Sequence, residues 1–151
     1  MKIFTLVITF VLSSLNSFAG TITVNKPCSE TSFTSKNIEF DKSVSLGEIT
    51  INLLNDHGID FVGETFGINQ INGTPVKGRD LEVISNSEMK AYGWCFSING
   101  VIPESYPNMI YPDSNDNVIW FYGFAHYLEG EWIAQCKLAS KENGCSGVSK
   151  L

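Results

Sequence analysis

The segment Val118-Ile119-Trp120-Phe121-Tyr122-Gly123-Phe124-Ala125 constrains this chain more than any other. Drawn out as a strand, it places Val118, Trp120, Tyr122 and Phe124 on one face. Ile119, Phe121 and Ala125, around Gly123, take the other. A strand that is apolar on both faces has to be covered on both, so it belongs inside a layered sheet. One source of cover is a single helix, read below. Another is the stretch 101–117, where Pro103, Pro107 and Pro112 exclude regular structure and Tyr106, Met109, Ile110 and Tyr111 supply apolar surface. Either that loop and the C-terminal tail close the second face, or an aromatic patch stays open as a contact surface.

The remaining elements follow from period and punctuation. Thr21-Ile22-Thr23-Val24 alternates and is β-branched, which favours a strand, and Ile38-Glu39-Phe40 reads as a second strand antiparallel to it. The period then changes. Ser45-Leu46-Gly47-Glu48 has the form of a capping box, and Leu46, Ile49, Leu53 and Leu54 follow at helical spacing. Gly58 is a left-handed stop. Short strands come next, over Phe61 to Ile71 around Gly63 and Gly67, near Leu81 to Ile84, over Tyr92 to Ile98 and over Trp132 to Cys136. Turns are expected at Asn72-Gly73, Asn99-Gly100 and Glu129-Gly130. Trp94 and Trp120 are expected to pair across neighbouring strands and cover the helix stripe. Two strands, a helix and then several strands make an α+β plan, a β-grasp-like mixed sheet with one helix packed on one face.

The first nineteen residues stand apart. Ile3 to Leu15 is apolar behind Lys2, and Ser17-Phe18-Ala19 supplies small residues for cleavage, which is the form of a secretory signal peptide over 1–19. The run is shorter than the roughly 20 apolar residues of a membrane span, so no membrane span is expected. The leader also inflates the apolar composition of 43 %. The net charge is −6, and loss of Lys2 makes it one unit more negative, which excludes gripping nucleic acid through charge. A secreted or periplasmic domain is expected over 20–137, with a polar tail over 138–151. Cys28, Cys95, Cys136 and Cys145 read as two disulfides. Cys136–Cys145 with Cys28–Cys95 is the first choice among three pairings, because Cys136 and Cys145 are close in a polar tail. Without a C-x-x-C pair or ligand-spaced histidines beside His57 and His126, no metal is expected.

Gly93-Trp94 with Ile98-Asn99-Gly100, followed by Asp116-x-Val118-x-Trp120-x-Tyr122, resembles the paired signature of the transcobalamin-like C-terminal domain family. Val44-x-x-Gly47 to Gly58 and Ile68-x-x-Ile71-Asn72-Gly73 extend the resemblance over residues 38–127. Asn115 stands where that family usually has Gly. The resemblance implies a secreted small β-domain, with a planar small molecule such as a corrinoid as one ligand. In the family's vitamin B12 carriers, the small β-domain closes over a ligand held by a larger helical domain.

All three Trp and all five Tyr fall between Tyr92 and Trp132. The candidate ligand-binding residues are accordingly Trp94, Asn99, Gly100, Tyr106, Tyr111, Tyr122 and His126, with a planar small molecule or a protein as the partner. Asn99-Gly100 also suits a tight turn, and Asp116 is placed to bond backbone amides at the turn into the long apolar strand. Cys95 has no neighbouring His and reads as a half-cystine rather than a nucleophile. His126 with Glu129 or Glu131 could form a base, but reads as a surface histidine. Asp113-x-Asn115-x-Asn117 begins like a calcium loop, yet position six is Val118 and position twelve is Phe124. No cofactor and no catalysis are expected. The chain reads as an exported binding module, or alternatively as an envelope or secreted structural or protein-interaction domain.

Overall fold

The computed structural model describes residues 19–28 and 32–140. The leader, apart from Ala19, and the tail beyond 140, Cys145 included, lie outside the described residues. The β-branched segment forms β1 (Gly20–Asn25), antiparallel to β2 (Ser32–Ile38). The second strand therefore lies upstream of the expected Ile38 to Phe40. Pairing stops where Gly20 meets Ile38, and the Phe40 ring turns in against Gly20, where a Cβ would collide with it. Helix α1 (Leu46–Asp56) starts at Ser45, whose Oγ accepts the Glu48 amide at 3.3 Å. Gly58 follows it at φ 62°, the left-handed stop that the sequence calls for.

Strands β3 (Phe61–Glu64) and β4 (Gly67–Ile71) form a separate hairpin. The chain then makes β5 (Leu81–Ser85), β6 (Glu88–Ile98), β7 (Asn117–Leu128) and β8 (Glu131–Leu138). The main sheet has the order β2-β1-β7-β6-β5, with β8 also paired to β7. It is mixed, because β1 and β7 run parallel while the other pairs are antiparallel. This is an α+β architecture with one α-helix among the described residues, laid on one face of a mixed sheet. No helix of the described residues is long and apolar enough to cross a membrane.

The helix stripe buries Leu46 and Leu54 against Ile22, Val118, Trp120 and Phe96. The Trp120 indole N–H donates to Thr50 Oγ1 at 3.1 Å, and that hydroxyl donates to the Leu46 carbonyl at 2.7 Å, so the buried polar atoms are paired. Trp94 and Trp120 do not pair with each other. The register sets Trp94 opposite Tyr122 and Phe96 opposite Trp120, with ring centroids 6.1 Å and 5.0 Å apart. Their separation of 26 positions puts the two tryptophans on a diagonal, two places out of register.

The loop 101–117 contains one 3₁₀ turn (Pro107–Met109) and packs on the helix side, where Ile110 joins the core and its carbonyl accepts the Leu46 amide at 2.7 Å. It does not cover the second face. There a disulfide joins Cys95 on β6 to Cys136 on β8, with Cα atoms 5.6 Å apart although β7 is paired to both strands. Strand β8, bulged and carrying Cys136 at φ 50°, leans over β7 at Gly123. A Cβ on Gly123 would stand 2.9 Å from the Lys137 carbonyl oxygen and 3.3 Å from Cys95 Sγ. This bond replaces both expected pairings, Cys136–Cys145 and Cys28–Cys95. Closeness in sequence favours the first, but the bulge decides which sulfurs meet. Cys28 is also disulfide-bonded.

Candidate functional site

Strand β6 is paired to β7 without a break from Glu88 to Ile98. Along such a strand the backbone groups of alternate residues point to opposite edges. Two bonds identify the phase that faces outward, away from β7. The Tyr92 N–H donates to the Asp80 carbonyl at 2.7 Å, and Ile98 exchanges bonds with Val101 at 2.8 and 2.9 Å. Trp94 and Phe96 share that phase. Their N–H and C=O groups also point outward, and among the described residues they meet no backbone partner.

Two residues open this gap. Continuing the β5 register past Asp80 would set Gly78 opposite Trp94, but Gly78 sits at φ 79° and the chain turns away. Continuing from Val101 would set Pro103 opposite Phe96, and proline has no N–H to donate. The unpaired edge lies in a cleft of about 950 Å³. Its walls are β4 with Phe66, the segment 75–80, and the segment 102–107. The cleft floor carries the rings of Tyr92, Trp94, Phe96 and Trp120, and its charged lining is Lys77, Asp80 and Glu104.

Of the seven residues that the sequence singles out, Trp94 and Tyr106 line this cleft. Trp94 is held by its indole N–H, which donates to the Thr74 carbonyl at 2.8 Å, while Tyr106 is exposed at the rim. Asn99 and Gly100 form the turn beyond it. The Asn99 side chain accepts the Asn117 amide at 2.9 Å and donates to Asp116 Oδ1 at 2.8 Å, tying the turn to β7. Asp116 Oδ2 accepts the Asp113 amide at 2.8 Å, the turn-bonding role expected of it. Tyr111 is exposed outside the cleft lining. His126 lies toward the far end of β7, with Nε2 2.9 Å from Glu88 Oε1 rather than beside Glu129 or Glu131. Asp113 pairs with Lys42 at 2.7 Å. Among the described residues no cluster of His, Cys, Asp or Glu is placed to hold a metal.

Tyr122 is buried behind Trp94 and Tyr92, with both ring centroids 6.1 Å away. Its hydroxyl is buried without a hydrogen-bond partner. Burial, with the Asp80 carboxylate adding to it, pushes its pKa up to about 12. Burial also raises the pKa of Tyr92, helped by Glu82, to which the Tyr92 hydroxyl donates at 2.6 Å. Phe66, Gly78, Phe96 and Pro103 belong to the cleft and were not among the sequence candidates. Gly78 and Pro103 are visible in sequence as strand breakers, but the edge they leave bare depends on the register.

No family model, no curated protein and no solved structure matches this chain.

Proposed function

We propose that the chain is an exported, non-catalytic binding module whose site is the cleft along β6. The observation that carries this reading is the cleft itself, about 950 Å³ and floored by four aromatic rings. Small-molecule sites occupy roughly 300–1,000 Å³ and are mostly apolar with a few placed polar groups. The leader-like start and the Cys95–Cys136 bond support export, since structural disulfides persist in oxidising compartments. The resemblance to the transcobalamin-like C-terminal domain family puts a planar small molecule, such as a corrinoid, first among ligands to try. Cyanocobalamin titrated into the mature protein to on the order of 100 µM should shift its absorbance spectrum and raise Tm. A flat titration in both readouts removes the corrinoid.

The second reading is an envelope or secreted protein-interaction domain. It is favoured by Leu81, Val83 and Ile84 on β5 and by Trp132, Ile133 and Leu138 on β8, all exposed. Concentration-dependent sedimentation supports it, and a strict monomer with no captured partner counts against it.

A further inference from the structure

We propose that the occupant of the cleft is an extended peptide, which adds as an antiparallel strand to the bare edge of β6 between Tyr92 and Ile98. The inference rests on reading the cleft as a binding site and names the chemistry that the site would take.

Trp94 and Phe96 offer two N–H donors and two C=O acceptors at the repeat of a β-strand. The complement of such a row is another extended backbone. A flat apolar ligand would leave all four groups unpaired. The chain's own segments stop the gap at both ends, Asp80 at Tyr92 and Val101 at Ile98, and both run antiparallel to β6. The space therefore takes a peptide of about five residues, on the order of 17 Å long. Residues set opposite Trp94 and Phe96 would point to the same side as those rings, in a cleft whose lining also includes Ile68, Phe66 and Tyr106. Two alternate positions of the peptide are accordingly apolar. Asp80 and Glu104 outnumber Lys77 in the lining, and the whole chain carries −6, so the flanking residues are neutral or basic.

The test uses a blocked pentapeptide, acetyl-Lys-Val-Thr-Val-Lys-amide, and the same peptide with both valine amides N-methylated. Amide hydrogen exchange at Trp94 and Phe96 is followed by NMR in the full mature protein. The unmodified peptide should slow exchange at both amides by about tenfold or more at saturation, and the N-methylated one should leave it unchanged. Unchanged exchange with the unmodified peptide overturns the proposal, as does equal binding of the two peptides. Cyanocobalamin in a parallel titration separates the two levels. If it binds and the peptide does not, the peptide falls and the binding module stands. If neither binds, both readings fall.

Discussion

From Asn117 to Trp120, β7 runs beside β1 and beneath the helix, with Val118 and Trp120 almost completely buried. From Gly123 to Leu128 the same strand runs beside β8, and at this end the rings of Tyr122 and Phe124 meet Tyr92, Trp94 and Ala139. The first half is held by burial under a second layer. The second is held by stacked rings and by a disulfide drawn across the strand. Where the helix stops, the sheet has to find other means of cohesion, and the bare stretch of β6 flanks that junction, with Phe96 opposite Trp120 and Trp94 opposite Tyr122.

The largest effect is expected from Trp120→Ala. Removing a fully buried indole should cost about 3–5 kcal/mol in urea unfolding, while Thr50 keeps its bond to the Leu46 carbonyl. A loss below about 1 kcal/mol would mean that the first half does not depend on packing. Next comes Cys95→Ser with Cys136→Ser, expected to cost about 2–4 kcal/mol. Amide exchange should then accelerate over 123–128 more than over 117–120. Uniform acceleration would erase the contrast between the halves. Gly123→Ala should cost about 1–3 kcal/mol, because its new methyl meets a backbone carbonyl. The cost should shrink in the disulfide-free background, where β8 is free to lift. An undiminished cost would place the clash elsewhere.

The smallest effect concerns Tyr122→Phe, which removes a buried hydroxyl that has no partner. It should raise stability by about 1 kcal/mol at pH 7. It also tests a pH dependence. The native pKa of Tyr122 is raised to about 12, so between pH 10 and 12 the unfolded chain loses this proton while the native state keeps it. The contribution of Tyr122 is thus full below pH 10 and is lost as pH rises toward 12. Wild type should lose more stability than Tyr122→Phe between pH 8 and pH 11, measured by urea midpoints. Parallel curves would show that the hydroxyl is not buried from solvent.

Local devices were legible in the sequence. Ser45 caps α1, Asn99-Gly100 turns at φ 52° and 81°, and Glu129-Gly130 turns at 49° and 98°, because each depends only on residues a few places apart. The mixed sheet with one helix was also readable from changes of period. Cys95–Cys136 was not, since it depends on how a bulged strand leans over a bare glycine. The candidate site was half legible. Aromatic clustering led to Trp94 and Tyr106, but it could not separate Tyr122, which shares a face with Trp94 and Trp120 yet is buried behind Trp94 and Tyr92, from residues facing the cleft. The bare edge needed the register, which fixes that Gly78 and Pro103 face the same short stretch of β6.

The parallel pairing of β1 with β7 sets an order of events. Thr21 Oγ1 bonds Asn117 Oδ1 at 2.6 Å across 96 positions, and β1 lies between β2 and β7. A chain emerging from its N-terminus can form the β1–β2 hairpin and α1 early, but the slot beside β1 stays empty until residue 120 has appeared. Loop closure over that distance is slow, and until then one edge of the hairpin remains available to other chains. The architecture thus postpones its own completion, so the conditions met by the nearly finished chain decide whether it folds or aggregates.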